Sequence, residues 1–314
     1  MLSEKESIVV IGLGWVGQAN ALALSHLGYA VSYYDPANPT FHYKGFDQEY
    51  KSLKRLSNPL ELDSQSTVYI ICVGDRVDEA GNQDISLIQK ALISLGSAKG
   101  TVVLRSTIRP DYLKDLDFDI YLPEFLHEKT AVEECTHPHF FVVGKKHEEV
   151  KVPSFFENWQ AHSFKSIECS AEEASHIKYL SNIWNAQRIA FVNEFGRSIH
   201  AAYKKDGNHD EKKSLEKAHT VLHFLFENKP YFQYGRAYTG HCLPKDMRAY
   251  SAFSAQHIDP HFLKGVIASN AEQEKFQEVH HELQEWYSPW RRVDLSGREA
   301  FKALVRAVKR NIRK

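Results

Sequence analysis

Four consecutive apolar residues, Ile8-Val9-Val10-Ile11, lead into Gly12-Leu13-Gly14-Trp15-Val16-Gly17. An Ala/Leu-rich stretch follows, then Tyr29-Ala30-Val31-Ser32-Tyr33-Tyr34-Asp35. The pattern predicts strand, tight glycine turn, helix, strand. Further buried strands are expected at residues 67–73 and 101–105, and shorter ones at 119–122 and 140–144, with helical patterns such as 86–95 between them. Strands alternating with helices behind such a turn predict a doubly wound, mostly parallel α/β sheet ending near Cys169. From Ala171 the period changes. Residues 171–203 contain no proline and one glycine, Gly196, with Ile177, Leu180, Ile183 and Trp184 at helical spacing. That helix would span on the order of 48 Å, too long to be the private element of one small domain and a natural dimer spine. Residues 214–228 and 261–287 also predict helices, and 204–213 a charged, mobile loop. Residues 291–314 predict a basic amphipathic tail. The expected domains are therefore 1–169 (Rossmann type), 170–290 (α-helical, with the spine) and 291–314 (tail).

The glycine turn carries its own chemistry. Gly12 and Gly14 let the backbone turn and approach a pyrophosphate, while Gly17 lets the helix pack on its strand. The helix N-terminus presents free N–H groups to phosphate. Asp35 ends the second strand, where a carboxylate accepts from a ribose diol and repels a 2′-phosphate. The expected cofactor is NAD, held by Gly12, Gly14, Trp15, Val16, Gly17, Asp35, Val73 and Thr107.

Composition narrows the class. With 314 residues, 43% hydrophobic and 25% charged, the chain is globular; its formal net charge of -1 gives no field that would gather nucleic acid. No apolar run reaches the ~18 residues of a membrane span, and the first residues lack a signal-peptide layout. Cys72, Cys135, Cys169 and Cys242 are widely spaced, so neither a disulfide framework nor a cysteine zinc site is expected, and no metal is assigned. A soluble, cytoplasmic protein is the expectation.

One loop stands out: Tyr234-Gly235-Arg236-Ala237-Tyr238-Thr239-Gly240-His241-Cys242-Leu243-Pro244-Lys245-Asp246. A cysteine just ahead of a lysine and an aspartate, at the start of a predicted helix, is a candidate activated thiol. Taken alone, Cys242 could equally be a small buried hydrophobe.

The loop resembles the Gly-Gly-Ser-Cys-Leu-Pro-Lys-Asp segment of the UDP-glucose/GDP-mannose dehydrogenase family. Ser106-Thr107-Ile108-Arg109-Pro110 resembles the family's Ser-Thr-x-x-Pro strand end, and Pro123-Glu124-Phe125-Leu126-His127-Glu128 its Pro-Glu-Phe-Leu-x-Glu segment. Two stretches of the spine, 174–182 (with Ser175 for the acidic residue) and Phe191-Val192-Asn193-Glu194, are similar to the family's spine helix. The resemblance implies a Rossmann domain followed by a helical domain like that of 6-phosphogluconate dehydrogenase, and an NAD-dependent oxidation of a nucleotide-sugar C6 alcohol to a carboxylate. It implies that Cys242 attacks the intermediate aldehyde and that Lys178 and Asn182, four apart on one helix face, hold the oxyanion. Asp246 and Thr107 would position or activate water, Glu128 would hold water or act as base, and Glu124 and Lys245 would complete the pocket. Phe125 places the chain nearer the enzymes for unmodified hexose nucleotides, UDP-glucose above all.

Departures are also present. Thr239 and His241 replace the family's glycine and serine, residues 72–75 lack its threonine-proline, and its third, nucleotide-clamping domain is expected to be missing. A partner protein supplying that half, or a smaller sugar, is then the expectation beside a homodimer. Two other readings stay open: an NAD-binding scaffold that has lost catalysis in glycan assembly, and a single-step dehydrogenase of the hydroxyacid type, which has no use for Cys242. The bland alternatives for the polar residues are a solvated face at Lys178/Asn182 and an acidic helix start at Glu124/Glu128.

Overall fold

The computed structural model describes residues 6–128, 130–205, 210–227, 229, 231–281 and 283; the basic stretch 291–314 lies outside them. In chain order the elements begin β1 (Ser7–Ile11), α1 (Trp15–His26), β2 (Ala30–Tyr34), α2 (Asp47–Ser52), β3 (Lys54–Arg55) and β4 (Thr67–Ile71). A short pair, β5 (Arg76–Val77) and β6 (Gln83–Asp84), precedes α3 (Ser86–Ser94), β7 (Thr101–Leu104), α4 (Pro110–Leu113) and β8 (Ile120–Tyr121). Then come α5 (Ala131–Thr136), β9 (Phe140–Lys145), α6 (Phe155–His162), β10 (Lys165–Ser170), α7 (Ala171–Lys205), α8 (Glu211–Phe226), α9 (Leu243–Ser254) and α10 (His261–Val279). They form two compact units, residues 6–76 with 84–178, and residues 77–83 with 179–283.

The first unit is built on an eight-stranded sheet of order β10-β9-β8-β7-β4-β1-β2-β3, parallel except for the β8–β9 pair. The apolar runs work on both faces. Ile8 and Val10 of β1, with Val68 and Ile70 of β4, join the cluster under α1, α5 and α6. Val9, Ile11, Tyr69 and Ile71 point the other way, into the cluster under α3 and α4. A strand buried on both sides has no polar face to alternate with, hence its continuous hydrophobicity. Ile11 stands level with Tyr34 and Ile71, and Ile71 with Leu104. The carboxyl ends of β2, β1, β4 and β7 therefore align where the strand order reverses, between β1 and β4. This is the α/β, doubly wound Rossmann sheet that the sequence predicts.

The second unit is helical. Tyr179, Ile183, Ala186, Ile189 and Ala190 of α7 pack with Leu243 and Met247 of α9 and Val266 of α10. Val192 packs with Leu215, Ala218 and Leu222 of α8 and with Tyr234. Gly196 is explained by that tyrosine: a Cβ there would lie 2.3 Å from the Tyr234 ring.

Three boundaries differ from expectation. The charged segment 204–213 is helical at both ends, because α7 continues to Lys205 and Asp210 caps α8 by accepting from Lys213 N at 3.2 Å. The last helix stops at Val279, short of residue 287; beyond it Arg236 Nε donates to the Leu283 carbonyl at 3.1 Å. β10 was not expected at all, being polar and largely exposed along its length. Among the described residues, no helix is long and apolar enough to cross a membrane.

Candidate active site

The glycine turn lies at the reversal point of the sheet. Gly12 has φ +85, and a Cβ on it would meet Val73 Cγ1 at 2.8 Å. A Cβ on Gly17 would lie 2.0 Å from the Gly12 carbonyl oxygen, so α1 can sit against the turn only without a side chain there. Gly14, the N-cap of α1, is exposed, with open space where its Cβ would be. The N–H groups of the first turn of α1 have no acceptor within the helix, and this open side suits a pyrophosphate. Asp35 accepts from Leu13 N at 2.7 Å through Oδ2 and from Ala37 N at 2.8 Å through Oδ1. Each oxygen keeps a lone pair for a ribose hydroxyl. Trp15 stacks on His42 with centroids 4.0 Å apart, and its carbonyl accepts from Tyr43 Oη at 3.0 Å. Val16 packs against the core cluster beneath α1. Val73 and Thr107 follow the ends of β4 and β7, tied by Ser106 Oγ donating to the Val73 carbonyl at 2.7 Å. All eight expected cofactor residues thus belong to the first unit, and the glycine turn and Asp35 have the form that the pyrophosphate and ribose of NAD require.

Also in this unit, Lys178 Nζ lies 3.0 Å from Glu124 Oε1, both side chains buried. Leu126 N donates to Glu124 Oε2 at 2.8 Å. Burial would raise the Glu124 pKa, but the Lys178 ammonium, the Leu126 N–H and the Arg105 guanidinium outweigh it and hold the carboxyl below its ordinary range. Phe125 supplies a cation–π face to Lys178 at 5.4 Å. A solvated helix face is excluded for Lys178, and no helix begins at Glu124. Glu128 is exposed in the turn before α5.

In the second unit, Asn182 Nδ2 donates to Asp246 Oδ2 at 2.6 Å, and Lys245 Nζ lies 3.0 Å from Asp246 Oδ1. Asp246 is 1% exposed, a carboxylate out of water with both oxygens facing donors. Cys242 is the N-cap of α9, one turn before it, and Asp246 N donates to the Cys242 carbonyl at 2.9 Å. The contrast among the four thiols is chemical. Burial pushes Cys72 and Cys135 up to about 12 and Cys169 up to about 11, while Cys242 is exposed at a helix N-terminus.

The residues that fix the cysteine loop were not among those expected from the sequence. Asn193 of α7 donates Nδ2 to the Arg236 carbonyl and accepts from Gly235 N, each at 3.0 Å. From α10, Asn270 accepts from Tyr238 N at 2.9 Å, Gln273 donates to the Gly235 carbonyl at 2.6 Å, and Gln277 accepts from Ala237 N at 3.0 Å. Amides at positions 270, 273 and 277 of one helix are the signal that could have found them, since helical spacing puts them on a common face.

The chain is similar to known proteins along most of its length. Residues 172–272 match the UDP-glucose/GDP-mannose dehydrogenase family, central domain. The chain is 27% identical over 305 residues to a GDP-mannose 6-dehydrogenase of Pseudomonas aeruginosa, covering 85% of this chain and 68% of the relative. It is 28% identical over 298 residues to a UDP-glucose 6-dehydrogenase of Rickettsia bellii, covering 85% and 67%. Among solved structures, a UDP-glucose dehydrogenase of Pyrobaculum islandicum superposes with a TM-score of 0.72 at 24% identity, covering 86% of this chain and 69% of the other.

Proposed function

Because the chain belongs to the UDP-glucose/GDP-mannose dehydrogenase family, we propose that it oxidises the C6 alcohol of a nucleotide sugar to the carboxylate in two NAD-dependent steps, with Cys242 as the covalent tether. It is an NAD-dependent oxidoreductase acting on CH–OH groups. Bound NAD supplies the hydride acceptor for each step, so the alcohol, two NAD⁺ and one water become the carboxylate, two NADH and three protons.

This chain's residues supply the rest. The Cys242 thiolate attacks the C6 aldehyde, forming a carbon–sulfur bond and an oxyanion that takes a proton to give the thiohemiacetal. Loss of the second hydride and that proton leaves a thioester. Water then adds, and the thiolate departs. Lys178 has three N–H donors and Asn182 two; one of each is engaged by Glu124 and Asp246, and the others serve the oxyanions. Glu124 and Asp246 orient these donors. In this reading Asp246 positions the water, and Thr107 and Glu128 keep the water-holding and proton-accepting roles that the family resemblance implies for them. Lys245 holds the Asp246 carboxylate in place through their ion pair and sets a positive charge on the turn that follows Cys242.

The observation that carries this reading is the exposed Cys242 at the head of α9, one turn from a buried Asp246 bridging Asn182 and Lys245. A single oxidation needs no thiol, and a retired scaffold gains nothing from burying these charges. The substrate class is a hexose nucleotide with an unmodified sugar, in keeping with Phe125 beneath Lys178. The test is NADH formation with UDP-glucose and GDP-mannose; two NADH per sugar consumed supports the reading, and one NADH with released aldehyde rejects it.

The same reading includes a homodimer through α7. Leu180, Trp184, Phe191 and Phe195 form one stripe on that helix and are all exposed. Apolar side chains lined up in this way on a helix of 35 residues are suited to the same stripe of a second copy.

A further inference from the structure

Away from the residues assigned to the reaction, three side chains of the second unit converge from three helices. His200 lies on α7, Glu211 opens α8, and His280 caps the C-terminal end of α10. Glu211 Oε1 is 2.8 Å from His200 Nε2 and 2.9 Å from His280 Nδ1. One ligand atom from each residue falls within 4.8 Å of the other two. Both imidazoles are buried, and the Glu211 side chain is 33% exposed.

We propose that His200, Glu211 and His280 bind a divalent cation of the zinc class. The donor set is two imidazole nitrogens and a carboxylate oxygen, which suits zinc, cobalt or iron(II) and is poor for magnesium or calcium. Zinc bound at about 2.0–2.2 Å to such ligands separates them by roughly 3.3 Å in a tetrahedron; the two carboxylate–imidazole separations, 2.8 and 2.9 Å, come within about half an ångström of that, and the imidazoles lie within 4.8 Å of each other. The partly exposed Glu211 leaves room for water as fourth ligand. A dication also supplies a counter-charge to the Glu211 carboxylate held between two buried imidazoles. The sequence could not announce the site, because its ligands stand at positions 200, 211 and 280 and follow no short motif. The cation would clamp the end of α10, the helix whose Asn270, Gln273 and Gln277 hold the cysteine loop. Its role is then structural support, independent of the reaction proposed above.

The experiment uses the full chain, stripped with chelator and titrated with cobalt(II) alone, without NAD or sugar. The expected result is one cobalt per chain with visible d–d absorption of a four- or five-coordinate ion, displaced by zinc. His280→Gln and Glu211→Gln should each abolish the band, and Cys242→Ser should leave it intact. Zinc-edge X-ray absorption on the unmutated protein should read two imidazoles, oxygen ligands and no sulfur, which removes dependence on the folding of any variant. Absence of a saturable band, survival of the band in both ligand variants, its loss in Cys242→Ser, or sulfur in the zinc shell would each overturn the site.

Discussion

Asn182 and Asp246, separated by 64 residues, are joined side chain to side chain by a buried 2.6 Å hydrogen bond. The carboxylate therefore fixes which way the amide faces. Asn182→Ala leaves Asp246 Oδ2 without that donor, at a cost of about 1–3 kcal/mol. It should lower kcat by about a hundredfold or more if the amide also holds the oxyanion, with NAD binding unchanged. Steady-state kinetics alongside urea denaturation separates the two effects; a variant that loses stability but keeps kcat would make Asn182 purely structural.

Lys178 and Glu124 form a buried ion pair. Lys178→Met strands the carboxylate and should cost about 3–5 kcal/mol, by the general penalty for a buried unpaired charge. Adding Glu124→Gln should restore much of the stability and none of the activity. The pair also sets an acid limit. The Glu124 pKa is lower in the folded chain than its ordinary 4.5, so its contribution is complete above that pH and is lost as pH falls through the depressed value. Denaturation midpoints should therefore decline below about pH 4.5, and the decline should be shallower in the Glu124→Gln/Lys178→Met variant. An unchanged acid profile would contradict the assignment.

The nucleotide turn makes a steric prediction and an electrostatic one. Gly17→Ala places a Cβ 2.0 Å from the Gly12 carbonyl oxygen, so the turn must open and NAD affinity should fall at least tenfold. Asp35→Ala removes the anchor of Leu13 N, and with it the carboxylate proposed to accept from the ribose and to repel a 2′-phosphate. NAD affinity should drop while the NAD-to-NADP preference narrows. Fluorescence titration with both cofactors checks this, and an unaltered preference would remove Asp35 from the site.

These relationships differ in how far they can be read from the chain. The glycine turn and the strands behind it are legible, because burial on both faces and a sharp turn each impose a local pattern. β10 is not, since an exposed edge strand such as Lys165–Ser170 needs no apolar alternation. The loop's residue types suggested Cys242 and the family resemblance suggested Lys178, Asn182 and Asp246, but their pairing did not follow from spacing. Glu124 reaches Lys178 across 54 residues, and a charged helix position is solvated by default until a partner folds onto it. The amides of Asn193, Asn270 and Gln273 stayed unassigned for the same reason: their partners are backbone groups of a distant loop.

The exposed stripe of Leu180, Trp184, Phe191 and Phe195 leads to a prediction about assembly. Light scattering of the full chain at micromolar concentration should give a dimer. Trp184→Glu, which puts a charge in the middle of the stripe, should shift it to monomer without loss of helical circular dichroism. A wild-type monomer, or a dimer indifferent to Trp184→Glu, would move the interface elsewhere.

The central claim is that Cys242 carries the second oxidation as a covalent tether. The direct measurement is the ratio of NADH formed to nucleotide sugar consumed by Cys242→Ala, with the sugar product identified by mass spectrometry and NAD binding confirmed by fluorescence. The account predicts that the variant binds NAD normally and makes no acid, at most one NADH per sugar remaining. Two NADH per sugar and acid formed at close to the wild-type rate would contradict it.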